Sequence, residues 1–269
     1  MAGGAAGGGT SVRIYAGFGH YLILPSWIVI GLFLLVPVCI MLIYSFLTKQ
    51  FRGGVIWEFS LAAYDQFLFD RGLFGDEPPT IEWTYITIFW RSIWQAGVAT
   101  IMCLIIGFPT AWFIATRVGN SRSIWLFLIT IPYWVNLLIR TISMKFLIRD
   151  SGPLNEALLG LGVISEPIHM INTNFAVQLG LFYSYLPFMV LPIYSVIRQL
   201  NSSLPEAASS LGATPWFRFT RITLPLTLPG VVAGSAFTFS LAISMYVIPS
   251  LIVGERQQTL SMLIARSFL

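Results

Sequence analysis

The most informative segment of the chain is residues 204–225, which read LPEAASSLGATPWFRFTRITLP. Pro205 suits the first turn of a helix, where its missing N–H costs nothing, and Glu206 then lies at the positive end of the helix dipole. Gly212 is a natural left-handed stop for that helix, and Thr214 can cap a second one. The segment therefore predicts two short helices joined by a glycine elbow.

Long apolar runs lie on both sides of this segment and make up most of the chain. Asp, Glu, Lys and Arg are all missing from residues 21–48, 92–116, 123–139, 170–197 and 222–254. A helix that crosses a bilayer needs about 20 apolar residues. We therefore predict an all-α polytopic membrane protein with five spans, at 22–47, 92–116, 123–146, 173–197 and 226–252.

The third of these runs is short unless its helix continues past Arg140. An arginine at the centre of a transmembrane helix costs about 2.5–3.5 kcal/mol on insertion scales. We therefore predict that Arg140 lies near the membrane surface, where its side chain can snorkel.

The composition excludes several classes of protein. Hydrophobic residues make up 56% of the 269 residues and charged residues 10%, whereas a soluble domain carries about a quarter charged residues. This excludes a disordered chain, a nucleic-acid-binding domain and most soluble enzymes. Cys39 and Cys103 both lie in apolar runs, so we predict neither a disulfide nor a metal site.

The sequence offers no catalytic constellation. His20 and His169 are isolated, and no segment fits the phosphate-binding pattern G-x4-G-K-[ST]. We predict that the chain is not an enzyme and that any ATP chemistry belongs to another chain.

Acidic residues are unevenly distributed. Ten of the eleven acids lie in segments that an alternating topology places on one side: Glu58, Asp65, Asp70, Asp76, Glu77, Glu82, Asp150, Glu156, Glu166 and Glu255. The short segments 117–122 and 198–222 carry arginines and one acid, Glu206. Because short basic loops stay in the cytoplasm, we predict that these two segments and the N-terminus are cytoplasmic and that the acidic loops and the C-terminus face outward.

These features predict the domain organisation. We expect residues 1–20 to form a flexible cytoplasmic N-terminus, since they begin with a Gly/Ala-rich stretch. Residues 21–269 form the transmembrane domain, and 198–225 form its cytoplasmic loop.

The segment 204–225 resembles the "EAA" motif of the permease subunits of ABC importers, EAA-x3-G-x9-I-x-L-P. All seven specified positions are filled, by Glu206, Ala207, Ala208, Gly212, Ile222, Leu224 and Pro225. The resemblance implies the transmembrane domain of a type I importer, in which this loop docks into a cleft of the ATP-binding subunit and transmits ATP-driven closure. A surface helix-turn-helix without a partner is the alternative.

Four further segments resemble the spermidine/putrescine permease subfamily: Pro132–Arg140, Gly152–Leu159, Leu186–Tyr194 and Pro225–Gly234. The resemblance implies passage of a polyamine, or a related amine, from an external binding protein across the bacterial inner membrane. Such a subunit works with a second permease subunit and two ATP-binding subunits that hold ATP and Mg²⁺, and needs membrane lipid but no cofactor of its own. These permeases usually have six spans, whereas the sequence reaches Leu269 before a sixth apolar run. Either the sixth helix lies outside this sequence, which we expect, or this permease lacks it.

Other functions remain open at this point. A permease for another small solute, such as an opine or an amino-acid derivative, fits the same motif. A secondary transporter would need an ionisable relay inside its spans, and an intramembrane enzyme would need paired catalytic groups at membrane depth. The spans show neither feature.

Polar and aromatic residues in the middle of spans are candidates for the substrate path: Trp94, Tyr133, Trp134, Asn136, Tyr183, Tyr185, Ser240, Ser244 and Tyr246. An aromatic face binds an ammonium group with about 0.5–2 kcal/mol. The alternative is that these residues form an interfacial belt or pack helices together. Because no span interior holds a carboxylate, we predict a low-affinity conduit, with cations steered toward it by Asp65, Asp70 and Asp76 outside.

Overall fold

The computed structural model describes residues 11–49, 55–61, 64–65, 69–70, 80–81, 83–200, 203–253 and 258–268. The chain forms two compact units, Met1–Tyr85 and Ile86–Leu269.

The first unit contains a long apolar helix followed by short strands. Helix α1 is Ser11–Ser45, and the strands are β1 (Leu47–Lys49), β2 (Val55–Phe59), β3 (Phe69–Asp70) and β4 (Thr80–Ile81). Strand β1 pairs with β2, and β3 with β4, both antiparallel. The ring of Phe46 stacks on Phe59 at 5.5 Å, and Tyr64 lies 5.6 Å from Phe46.

Two predictions concern residues of this unit: the flexible N-terminal tail and the acid Asp76. The helix begins at Ser11, so the second half of the tail that was predicted to be flexible is helical. The Gly-rich stretch ends at Gly9, and eight of the ten residues from Ser11 to His20 are types that favour helix more than glycine does. Residues 1–10 and Asp76, one of the predicted steering acids, lie outside the described residues.

The remaining described chain is helical. Its helices are α2 (Trp83–Thr116), α3 (Asn120–Trp134), α4 (Leu137–Leu147), α5 (Pro153–Gly160), α6 (Asn174–Gln199), α7 (Ser203–Ser210), α8 (Pro215–Arg218), α9 (Leu224–Ser244), α10 (Val247–Ile252) and α11 (Leu260–Phe268), with a π-helical segment at Phe219–Thr223 between α8 and α9.

Four helical segments are long and apolar enough to cross a membrane: Ile23–Ser45, Trp83–Thr116, Asn174–Gln199 and Pro215–Ser244. A fifth crossing results if α3 and α4, which are bent by 95° at their junction, together form one span. The prediction of a polytopic helical membrane protein is confirmed, and the number of spans is four to five.

The boundaries of three predicted spans need correction. The second span begins at Trp83 rather than 92, and the third is broken at Val135 and Asn136. Asn136 ends the first half because its side chain accepts a hydrogen bond from the N–H of Leu138 at 2.9 Å and so starts a new helix. The predicted fifth span, 226–252, stops at Ser244 instead.

The early end of the fifth span has a local cause. Met245 has extended dihedrals (φ −73°, ψ 119°), and Pro249 lies four residues later. A proline ring clashes with the carbonyl four residues before it and offers no N–H to it. The chain therefore breaks at Met245 and resumes as the separate short helix α10.

Helix α6 is the centre of the second unit, and glycines on its neighbours let them approach closely. Gly107 of α2 and Gly234 of α9 both face Met189 of α6, while Gly230 of α9 lies against the α6 backbone. Gly180 of α6 faces α10. Small residues at helix crossings are the usual means of tight packing in membranes, where burial of apolar surface gives no driving force between helices.

Candidate coupling segment and substrate path

Helix α7 ends in a glycine cap. Gly212 has φ +77°, and its N–H donates to the carbonyl of Ser209 at 2.9 Å. The N–H of Ala213 donates to the carbonyl of Ala208 at 3.0 Å. These two bonds, with a left-handed residue between helix and loop, form a Schellman motif. The predicted glycine stop is confirmed.

The second helix begins as predicted but is not short. The side chain of Thr214 accepts from the N–H of Phe217 at 3.3 Å, and Pro215 occupies the first turn. The helix then continues through the π-helical segment into α9, so Pro215–Ser244 is one span-length helix. The prediction of two short helices is therefore wrong for the second.

The π-helical segment explains how the helix passes Pro225. The N–H of Leu224 donates to the carbonyl of Phe219, five residues earlier. The ring of a proline crowds the carbonyl four residues before it, here that of Arg221. The wider π turn gives that ring room, and the chain stays helical where an α turn would break.

The seven motif positions separate into two groups in space. Glu206, Ala207 and Ala208 lie on α7, and Gly212 lies in the elbow after it. The other three, Ile222, Leu224 and Pro225, lie in the helix that leads into the last span. Glu206 and Ala207 are exposed, and Ala208 is half-buried.

Four side chains outside the seven motif positions join α7 to the second helix and that helix to α2. Arg218 donates through Nη1 to Oγ of Ser209, which ties the second helix to α7. The ring of Phe219 meets Phe108 of α2 edge to face, with centroids 5.8 Å apart. The motif specifies none of these positions, so the sequence analysis did not predict them. Their role in holding the segment in place is seen only from their contacts.

The segment presents apolar side chains to its surroundings. Leu211 is 88% exposed and Trp216 is 73% exposed, and Leu204 and Phe217 are also exposed. A group of exposed apolar side chains of this kind is typical of a protein–protein interaction site.

Three of the predicted path residues lie together beside the break between α3 and α4. Tyr133 meets Phe188 edge to face at 5.1 Å, and Tyr185 lies 6.3 Å from the same ring. The guanidinium of Arg140 lies 6.0 Å from the centroid of the Tyr183 ring. We call Tyr133, Tyr183, Tyr185, Phe188 and Arg140 the aromatic cluster. Sequence reasoning did not include Phe188.

Arg140 turns inward instead of snorkelling. It is 7% exposed, and its Nη1 donates to the carbonyl of Pro132 at 2.9 Å. The last carbonyls of a helix have no intrahelical donor, and the break at Asn136 places Pro132 among them. This carbonyl gives the guanidinium an interior partner, while its Nε is buried without one.

The remaining candidates for the substrate path lie outside the aromatic cluster. Trp94 and Trp134 are largely exposed, and Asn136 caps α4 as described above. Ser244 donates to the carbonyl of Ser240 within α9 at 2.9 Å, and Tyr246 lies between α9 and α10.

A second cation joins α4 to α10. Nζ of Lys145 donates to the carbonyl of Leu251, in the last turn of α10, at 2.9 Å. A cation at this end of a helix satisfies an unpaired carbonyl and opposes the negative end of the helix dipole.

Comparison with known proteins identifies the family. Residues 88–268 match the family model of the binding-protein-dependent transport system inner membrane component. The chain belongs to this family. The resemblance to ABC permeases, found at the EAA motif, is confirmed, and the chain is a multi-pass permease subunit.

Curated relatives of this permease extend the match over most of the chain. The spermidine/putrescine transport system permease protein PotB of Haemophilus influenzae is 36% identical, over 92% of this chain and 81% of that protein. PotB of Escherichia coli K12 is 37% identical, over 91% of this chain and 83% of that protein. The inner membrane ABC transporter permease protein YdcU of the same strain is 32% identical, over 61% of this chain and 56% of that protein.

Solved structures show the same fold. The permease superimposes with a TM-score of 0.69 on a chain of a bacterial ABC transporter involved in the import of the acidic polysaccharide alginate, at 17% identity, covering 96% of this chain and 86% of that one. A chain of a bacterial alginate ABC transporter in complex with alginate pentasaccharide-bound periplasmic protein gives a TM-score of 0.63 at 18% identity. The predicted architecture of an ABC importer transmembrane domain is confirmed.

Proposed function

We propose that this permease passes a polyamine, spermidine or putrescine, from an external binding protein to the cytoplasm. The observation that carries the proposal is the 36–37% identity with two PotB proteins over more than nine-tenths of the chain. In this proposal the chain works with a second permease subunit and with two ATP-binding subunits that hold ATP and Mg²⁺.

The segment around Gly212 transmits the motion driven by ATP. Helix α7, the elbow and the start of α8 dock into a cleft of an ATP-binding subunit through Leu211 and Trp216, whose exposure supports this role. The contact between Phe219 and Phe108 then carries movement of the segment to α2. The N-terminus and this segment lie in the cytoplasm.

The aromatic cluster forms part of the substrate path. Tyr133, which is 56% exposed, offers a ring face to an ammonium group as it passes the break between α3 and α4. Tyr185 is buried behind it, and the Tyr183 ring already lies beside the Arg140 guanidinium. With no carboxylate in the spans, binding is weak and release is easy, so selectivity belongs to the external binding protein.

A second candidate substrate is favoured by one observation. The guanidinium of Arg140 is buried, its Nε has no partner, and no carboxylate lies within ion-pair distance of it in the part of the chain that the structure describes. Such a group repels an ammonium and binds a carboxylate with charge-assisted hydrogen bonds. An opine or an amino-acid derivative carries a carboxylate and would form these hydrogen bonds with Arg140, whereas a polyamine would not.

Uptake by the complete transporter in proteoliposomes distinguishes these substrates. We expect ATP-dependent, vanadate-sensitive uptake of labelled spermidine or putrescine from the cognate binding protein, and no uptake of an opine. Arg140→Gln removes the charge and keeps hydrogen-bonding groups. Polyamine uptake that is unchanged or faster in this variant supports the first candidate, whereas opine uptake that Arg140→Gln abolishes supports the second.

Glu206→Gln tests the coupling role, and Glu156→Gln is its matched control. Both acids lie exposed in the first turn of a short helix, Glu206 in α7 and Glu156 in α5. We expect Glu206→Gln to lower uptake while membrane insertion is unchanged, and Glu156→Gln to leave uptake unchanged. Equal uptake by both variants would contradict the assignment of α7 as the coupling helix.

A further inference from the structure

An apolar groove lies between α2 and α3, close to the turn that joins them. The turn is short, with Gly119 at φ +63°. The groove has a volume of about 460 Å³ and is lined by Pro109, Thr110, Phe113, Ile114, Trp125, Leu128 and Ile129.

The lining is almost entirely apolar, and its polar side-chain groups are the hydroxyl of Thr110 and the indole N–H of Trp125. Thr110 contributes the one side-chain hydroxyl, and this donates to the carbonyl of Ile106 within its own helix at 2.7 Å. The rings of Phe113 and Trp125 meet edge to face at 5.3 Å and close the end of the groove that lies nearest the turn. The ligand that fits this groove is a hydrocarbon.

Two arginines stand at the same end of the groove. The guanidinium carbon of Arg117 lies 4.0 Å from the centroid of the Phe113 ring, so its charge is held beside a wall of the groove. Arg122 lies in the first turn of α3, three residues before Trp125. Among the described residues, neither arginine has a carboxylate within ion-pair distance. Arg117 therefore holds a cation beside a wall of the groove, and Arg122 adds a second, half-buried cation one helical turn before Trp125.

The groove lies on the same side of the membrane as the coupling segment. Phe108, next to the groove residue Pro109, contacts Phe219. From Pro109 to Arg117 the helix rises about 12 Å at 1.5 Å per residue, so the groove reaches from the basic turn into the hydrocarbon layer. The basic turn at 117–122 is on the side that we propose to be cytoplasmic, and this step rests on that proposal.

We propose that this groove binds an anionic phospholipid, with an acyl chain in the groove and the phosphate on Arg117 and Arg122. Basic residues between transmembrane helices at the cytoplasmic surface are typical sites for anionic head groups. The head group accepts hydrogen bonds from the guanidinium of Arg117, and the acyl chain packs on Phe113 and Trp125. A zwitterionic lipid would fill the groove with less affinity because its amine opposes the arginines.

Quenching of Trp125 by brominated lipids tests the proposal in the complete transporter. The complex is reconstituted into phosphatidylcholine vesicles with a minor fraction of brominated phosphatidylglycerol or brominated phosphatidylcholine. The signal of Trp125 is the difference in fluorescence between the unaltered protein and Trp125→Phe. Each basic residue near the surface favours anionic lipid about fivefold, so we expect phosphatidylglycerol to occupy the groove about twenty-five-fold more readily than phosphatidylcholine.

The double variant Arg117→Gln, Arg122→Gln should lose this preference, and Arg149→Gln, in the exposed segment after α4, should keep it. Native mass spectrometry of the three proteins, which counts retained phosphatidylglycerol, gives a second readout. Equal quenching by both lipids, preference that survives the double substitution, or quenching by neither lipid because protein fills the groove would each overturn the proposal. The measurement uses neither ATP nor substrate, so its outcome does not depend on which solute is transported.

Discussion

Substitution of Gly212 by alanine isolates the contribution of the elbow. Gly212 has φ +77°, and a Cβ built on it meets no atom within 4 Å. The substitution therefore creates no clash, and its whole effect comes from the left-handed backbone, which costs a residue with a Cβ about 1–2 kcal/mol. The bent conformation of the segment then becomes about five- to thirtyfold less populated relative to a straightened one.

ATP-dependent uptake in proteoliposomes measures this loss. If transport follows the population of the bent segment, Gly212→Ala should lower uptake by about five- to thirtyfold. Gly212→Asn should recover part of it, because asparagine tolerates the left-handed region. Gly160→Ala is the matched control, since that glycine also has open space around it but no left-handed dihedral. Uptake by Gly212→Ala equal to that of Gly160→Ala would refute the reasoning.

Two other substitutions test the packing and the break. A Cβ on Gly230 would lie 3.0 Å from the carbonyl oxygen of Pro192, so Gly230→Ala should destabilise the purified complex by about 1–3 kcal/mol in thermal melting, while Gly97→Ala, with open space around it, should not. Asn136→Ala removes the cap of α4 and should cost about 1 kcal/mol in the same assay, and Asn136→Asp should retain most of that stability. A melting temperature that falls equally for both glycine variants, or for both asparagine variants, would contradict these assignments.

Local sequence rules were sufficient where the structure is decided by neighbours along the chain. The left-handed stop at Gly212, the cap at Thr214 and the helical start around Pro205 all depend on a few adjacent residues, and each was predicted. The apolar runs likewise predicted most of the spans, because a bilayer imposes length and hydropathy on a helix directly.

The sequence failed where a distant contact or an unusual turn decides the outcome. The second helix was predicted to be short, and no local sequence rule predicts the π turn that carries it past Pro225 into the last span. The direction of Arg140 depends on a carbonyl that is exposed by the break at Asn136. The grouping of the aromatic cluster depends on how α3 and α4 pack against α6, which periodicity cannot show.

The central claim is that the segment around Gly212 docks on an ATP-binding subunit, and cysteine cross-linking tests it most directly. In a Cys39→Ala background, Leu211→Cys places a thiol at the most exposed side chain of the elbow, 88% exposed, and Leu161→Cys places one at a 77% exposed side chain that we propose to face outward. In membranes that contain the complete transporter, we predict a cross-link between the ATP-binding subunit and position 211, with a yield that changes on addition of ATP, and none from position 161. Absence of the cross-link at 211, or an equal yield from both positions, would contradict the account.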